Sequence, residues 1–151
     1  MTFEQNRIFP LAKADLPALA VVERDLFQDP WSFQMLLKEY LNPRVRSYKI
    51  VSDGSLAAYA FVHFLTPEAD LHNIAVLPPY QRQGLGALLL KALIADCRKV
   101  GCERIQLEVR EGNLAARGLY ESQGFKVVGK REGYYIMDTE NAVLYTKELD
   151  R

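Results

Sequence analysis

Thiols are scarce in this chain of 151 residues: Cys97 and Cys102 are the only cysteines. Without a second cysteine pair, or a histidine pair at ligand spacing, neither a disulfide scaffold nor a metal site is expected. Long apolar runs are also missing. The longest, residues 56–62, falls far short of the roughly 18 residues that a spanning helix needs, so a soluble protein with no membrane partner is expected. Residues 1–7 show no basic segment leading into an apolar one and a small-residue cleavage site, which makes a cytoplasmic location the expectation. An excess of charge is lacking as well, since 19 Lys plus Arg balance 19 Asp plus Glu. That balance argues against a nucleic-acid partner. Hydrophobic residues at 49% and charged residues at 25% are ordinary for a globular protein. The length suits one domain over 1–151.

Periodicity is what the chain does have. From Asp15 to Phe27, Leu16, Leu19, Ala20, Glu23 and Phe27 recur at helical spacing behind Asp15 as a cap. A second helix is expected behind Ser32, with Phe33, Leu36, Leu37, Tyr40 and Leu41 on one stripe until Asn42-Pro43 stops it. Residues 48–51, the turn Asp53-Gly54 and residues 56–65 predict a hairpin, and residues 70–76 a further strand. Leu85, Leu88, Leu89, Ala92, Leu93, Cys97 and Val100 form the most regular helical stripe, ended by Gly101. A strand over 104–109 has Ile105, Leu107 and Val109 on one face. Asn113 then caps a short helix to about Gln123, and residues 125–129 and 142–147 read as closing strands. Strand, crossover helix and strand require at least one parallel pair, whereas the hairpin requires antiparallel ones. The expected class is therefore α/β, a mixed α+β sheet with flanking helices.

Eight of the nine glycines lie between Gly84 and Gly133. Gln81-Arg82-Gln83-Gly84-Leu85-Gly86 falls between a strand end and the start of the most regular helix, where a backbone loop offers N–H groups to an anion. It lacks the third glycine of a dinucleotide fingerprint, because Leu89 stands there, and it lacks the Gly-Lys-Ser/Thr of a P-loop. A glycine-containing turn without a ligand remains an alternative. Glu108 lies within an otherwise apolar strand, either exposed on its polar face with Gln106 and Arg110 or set beside a cleft. Tyr120 and Trp31 read equally as packing residues. Tyr134 and Tyr135 are adjacent and should point to opposite sides of an extended segment.

Together, 73–76 (Asn-Ile-Ala-Val), Gln81-x-x-Gly84-x-Gly86 opening a helix, 107–116 (Leu-Glu-Val-Arg-Glu-Gly-Asn-Leu-Ala-Ala) and 119–125 (Leu-Tyr-Glu-Ser-Gln-Gly-Phe) resemble the GNAT superfamily of acetyl-CoA-dependent N-acetyltransferases. With Phe27-x-x-Pro30-Trp31-Ser32 upstream and Arg131-x-x-Tyr134-Tyr135 downstream, they look most like its ribosomal-protein-alanine N-acetyltransferase (RimI) branch. The resemblance runs from about Asp15 to Leu144.

It implies a mostly antiparallel sheet with one splayed parallel pair, and acetyl-CoA as cosubstrate without a metal. Backbone groups of Ile74, Ala75 and Val76 would meet the pantetheine arm. Arg82, Gln83, Gly84, Leu85, Gly86 and Ala87 would cradle the pyrophosphate, and Asn113 would also touch the cofactor. An α-amino group with an ordinary pKa near 8 is mostly protonated at neutral pH, so transfer to it needs a base. The resemblance assigns that role to Glu108, and proton delivery to the leaving thiolate to Tyr120. Trp31, Tyr134 and Tyr135 would hold the acceptor, the N-terminal alanine of a small-subunit ribosomal protein. Another amine, such as a lysine side chain or small metabolite, and a non-catalytic CoA-binding sensor are the alternatives. Gly112, where the branch usually has Ser, Gly118 within a helix and Tyr145 in place of a common Met are departures. Between Val76 and Arg131, ten basic residues face five acidic ones. The acidic remainder, including Glu23, Asp25, Asp29, Asp138 and Glu140, is expected to attract a basic N-terminus.

Overall fold

A computed structural model describes residues 7–135 and 138–149. Seven strands form one sheet in the order β1-β2-β3-β4-β5-β7-β6: β1 (Ile8–Pro10), β2 (Val45–Ser52), β3 (Ser55–Leu65), β4 (Glu68–Val76), β5 (Arg104–Arg110), β6 (Lys126–Tyr135) and β7 (Glu140–Glu148). Helices α1 (Leu16–Leu26) and α2 (Phe33–Leu41) precede β2, α3 (Leu85–Val100) joins β4 to β5, and α4 (Leu114–Ser122) joins β5 to β6.

The continuous apolar run in β3 follows from burial on both faces. Tyr59 and Phe61 pack with Leu16, Leu19 and Ala20 of α1 and Leu36 of α2. On the opposite face, Ala58, Ala60 and Val62 pack with Leu89, Leu90, Leu93, Ile94 and Cys97 of α3. The α3 stripe is therefore rotated from the expected one: Leu90 and Ile94 are buried and Val100 is exposed. β5 and β7 behave differently. Ile105, Leu107, Val109, Val143 and Tyr145 are buried on the α3 and α4 side, whereas Gln106, Glu108, Leu144 and Thr146 alternate with them and are half-buried or exposed.

Among the described residues one pair is parallel, and it is short. β4 and β5 pair at Glu68↔Arg104, Ala69↔Ile105 and Asp70↔Gln106, after which the strands continue unpaired to Val76 and Arg110. β4 stays bonded to β3 as far as Val76. Among the described residues the β5-facing edge of 71–76 thus has no strand partner, and this opening places the candidate site.

Local signals are mostly obeyed. Ser32 accepts a hydrogen bond from the Met35 N–H (3.2 Å) and Asn113 one from the Ala116 N–H (3.2 Å), so both act as N-caps. Asp15 does not cap α1. Its carboxylate instead takes the Ala12 N–H (2.7 Å) and the Lys49 ammonium (2.9 Å).

Candidate active site

Gly84, in the left-handed conformation (φ 79°), starts α3 without any side-chain cap. The N–H groups of the first turn therefore point outward with the positive end of the helix dipole behind them. Arg82 also has positive φ (64°), so the loop turns tightly enough to aim successive backbone groups one way. Gln81 anchors the loop by donating its side-chain amide to the Val76 carbonyl (2.9 Å), tying it to the end of the splayed strand. Gly86 permits close packing: a Cβ there would sit 3.2 Å from Leu119 of α4. Ile74, Ala75 and Val76 line up on the unpaired edge that leads to this loop, and Asn113 opens α4, whose Leu119 packs against Gly86. An uncapped helix start, a glycine turn and a strand edge free to bond form a site whose donors suit a pyrophosphate attached to a polar, amide-containing arm.

Across the sheet lies a cleft of about 570 Å³, whose lining includes Trp31, His72, Glu108, Arg131, Tyr134 and Tyr135. Glu108 lies on its floor two residues beyond the last parallel rung and pairs with the Arg131 guanidinium at 3.1 Å. Its charge is the largest influence raising the pKa of the exposed Tyr134 phenol. Tyr134 and Tyr135 do not take opposite sides. Gly133 has φ 63°, the β6–β7 register slips between Arg131 and Tyr135, and the two rings meet edge to face with centroids 5.1 Å apart in the same cleft. Arg110 stacks on Tyr135 (4.0 Å) and pairs with Asp29, Asp138 and Glu140.

Tyr120 lies on the other side of the sheet, buried between Phe125 and Tyr145 with ring centroids 5.9 Å from each. Burial first, then the phenols of Tyr135 and Tyr145, pushes its pKa well above the usual range. It does not line the cleft that holds Glu108, so the two side chains lie on opposite faces of the sheet. The thiols stand apart: Cys97 and Cys102 are buried and free, with Cys97 pushed up to about 12 chiefly by burial.

One expectation about acidic residues fails. Glu23 is 1% exposed and is no surface attractor. Its carboxylate accepts from the Tyr59 hydroxyl (2.6 Å), the Asn73 amide (2.8 Å) and the Trp31 N–H (2.9 Å), satisfying a buried charge with fixed donors. It thereby ties the loop carrying Trp31 to β4 immediately before Ile74. Asp29, Asp138 and Glu140 are occupied by Arg110. Glu140 also accepts the Gly112 N–H (2.8 Å), at a place where a Cβ on Gly112 would lie 2.7 Å from its oxygen.

His72 lines the cleft, its Nδ1 lies 2.8 Å from Glu39, and that hydrogen bond raises its pKa above the ordinary value. Gln81 and Glu23 each had a signal in the motif and in helical spacing, but their partners are set by tertiary structure.

The sequence pattern described as the acetyltransferase (GNAT) family matches residues 12–125. The chain is 41% identical over 130 residues to the [ribosomal protein bS18]-alanine N-acetyltransferase of Escherichia coli K12, covering 86% of this chain and 87% of that protein. It is 37% identical over 140 residues to the enzyme of the same name from Haemophilus influenzae, covering 91% and 94%. The crystal structure of the Escherichia coli ribosomal-protein-S18-alanine N-acetyltransferase superposes with a TM-score of 0.88 at 38% identity, over 95% of this chain and 94% of that one. Arabidopsis thaliana NAA60 in complex with acetyl-CoA shares the fold, with a TM-score of 0.86 at 16% identity over 94% and 97%. Extending over the helix pair, the splayed strands and the glycine loop, these similarities agree with the geometry: the chain belongs to the acetyltransferase (GNAT) family.

Proposed function

We propose that this chain is a single-domain cytoplasmic enzyme that transfers acetyl from acetyl-CoA to the N-terminal alanine of ribosomal protein bS18. The observation that carries the reading is the end of the parallel ladder at Asp70 and Gln106, with Glu108 just beyond it on one face and Tyr120 on the other. The acceptor is supported by the relatives, whose names state that alanine acetylation.

Acetyl-CoA supplies an activated thioester carbonyl. The unpaired edge at Ile74, Ala75 and Val76 donates hydrogen bonds toward its oxygen, where negative charge develops during attack. Arg82, Gln83, Gly84, Leu85, Gly86 and Ala87 hold the pyrophosphate by backbone groups, aided by the Arg82 charge and by Asn113. Trp31, Tyr134 and Tyr135 wall the acceptor groove. Glu108, directly or through a water, removes the proton that the amine must lose as the C–N bond forms. As the C–S bond breaks, Tyr120, protonated at neutral pH, gives its proton to the departing sulfur. The amine attacks directly, with no acyl-enzyme, because both thiols are buried on the helix-covered face.

Mass spectrometry of a peptide bearing the bS18 N-terminus, incubated with enzyme and acetyl-CoA, tests this. A single acetyl on the α-amine is expected. No product, or acetylation only on lysine side chains, overturns it.

A further inference from the structure

Past the last parallel rung, Asp70↔Gln106, each parting strand carries an ionisable side chain into the same cleft two residues further on: Glu108 from β5 and His72 from β4. His72 owes its place to an irregularity. The β3–β4 register runs from Val62↔Leu71 directly to Phe61↔Asn73, which makes His72 the extra residue of a bulge, with no opposite residue on β3. Its ring stands edge to face with His63 (centroids 5.2 Å) and with Trp31 (6.5 Å), and its Nδ1 lies 2.8 Å from Glu39 of α2. A carboxylate only accepts, so Nδ1 carries the hydrogen and the lone pair of the neutral ring sits on Nε2. Among the described residues Nε2 has no hydrogen-bond partner. An imidazole whose tautomer is fixed from one side, with its basic nitrogen left open beside a cleft, is built to take up a proton.

An α-ammonium group has two protons to lose on its way to an amide nitrogen. The first must go before the lone pair can attack, and the second goes as the C–N bond forms. We infer that His72 Nε2 accepts the first of these from the bound α-ammonium, with Glu39 as the residue that positions the ring and stabilises the imidazolium, an inference that rests on Glu108 being the base for the second. The protons then balance. Glu108 holds the second proton while Tyr120 gives its own to the sulfur as the C–S bond breaks, and exchange through solvent restores both. The proton on Nε2 passes to solvent and is the one that the overall transfer liberates. The charged and titratable groups around the ring are Glu39 of α2, His63 of β3, Asp70 of β4 and Glu108 of β5, with Asp29, Tyr134 and Tyr135 along the cleft. Arg131 and Arg110 pair with Glu108 and Asp29, which leaves Glu39 as the carboxylate bonded to the imidazole. That bond first, and the charges of Glu39 and Asp70 after it, raise the pKa of His72 against the opposing effect of burial. The shift brings the imidazole nearer to an α-amino group, whose ordinary value is about 8, and so eases transfer between them.

The test is the pH profile of kcat/KM for an alanine-initiated peptide amide, set beside an NMR titration of the His72 imidazole. In the wild-type protein the acid limb should fall at the pKa that NMR gives for His72. Without that acceptor only the free amine reacts, which at pH 7 is about a tenth of the total. His72→Gln should therefore lower kcat/KM about tenfold at pH 7 and less than about twofold at pH 9, moving the acid limb up to about pH 8 while acetyl-CoA affinity by calorimetry stays unchanged. Glu39→Gln supplies a second arm from outside the cleft lining. It removes the charge that favours the imidazolium, so the limb should move to lower pH with the plateau kept within about twofold. A wild-type limb already at about pH 8, a His72→Gln profile lowered equally at every pH, or a limb that Glu39→Gln leaves in place overturns the inference while N-terminal acetylation with Glu108 as base stands. A wild-type protein that transfers acetyl to no such peptide overturns the proposed function and the inference together. The wild-type limb and its NMR counterpart do not depend on how either variant folds.

Discussion

The two sides of the splay are built from different material. On the proposed cofactor side, the groups on offer are backbone ones of 74–76 and 82–87, two short stretches joined by Gln81. On the proposed acceptor side, they are side chains of the α1–α2 loop, β4, β5, β6 and β7, held by Arg110 and Glu23. A backbone site needs particular dihedrals, so it writes itself locally as glycine and a helix start. A side-chain site needs only that distant segments meet, and it can be altered one residue at a time without disturbing the other side.

That contrast can be broken most severely at the proposed base. Glu108→Gln should lower kcat/KM at pH 7 by about 10²–10⁴-fold, recover partly as rising pH frees the amine, and leave acetyl-CoA affinity unchanged. A pH–rate profile with calorimetric binding checks this, and an unchanged rate at pH 7 removes Glu108 as base. Tyr120→Phe keeps the buried ring and should slow transfer by about 10–10²-fold with cofactor affinity retained; if calorimetry finds binding lost, Tyr120 is structural. Glu23→Gln puts an amide donor among groups that already donate, and should cost about 2 kcal/mol in denaturant unfolding while raising the acceptor KM more than the acetyl-CoA KM. An equal rise in both would erase the distinction between the sides.

Smaller effects sharpen the contrast. Gly118→Ala meets nothing within 4 Å and should stabilise α4 by about 1 kcal/mol in thermal unfolding with both affinities unchanged. For His72, the bond to Glu39 raises the folded pKa, so the pair's stabilisation is fully present below about pH 6.5 and fades as pH climbs through the raised value. His72→Gln should therefore cost under about 1 kcal/mol at pH 5 and nothing near pH 8, the effect being limited by solvent screening. A loss that grows with pH would contradict that assignment.

Legibility in the sequence followed the same division. The glycine loop, the caps at Ser32 and Asn113, the alternation in β5 and the need for a parallel pair were all local patterns, and the structure displays them. β1 escaped notice because three residues carry no period. β6 extends to Tyr135, well beyond the expected end at 129, because an edge strand exposed on both faces shows no apolar alternation. Glu23 fitted a helical stripe but read as surface charge, since its three donors come from Trp31, Tyr59 and Asn73. The shared direction of Tyr134 and Tyr135 depends on a left-handed Gly133 and a register slip, neither of which adjacency alone reveals.

Gly112 and Glu140 impose a rule on how this sequence can change. The carboxylate sits where a β-carbon would go, and it also feeds Arg110. A side chain at 112, including the serine usual in the resembling branch, therefore pushes the Glu140 carboxylate aside, a short movement for the tip of a flexible side chain but one that takes it from the Gly112 N–H and disturbs its hold on Arg110. Two positions 28 apart in the chain are thus coupled, and a loop at 112 grafted from a relative is expected to loosen the Arg110 cluster unless the residue at 140 changes with it.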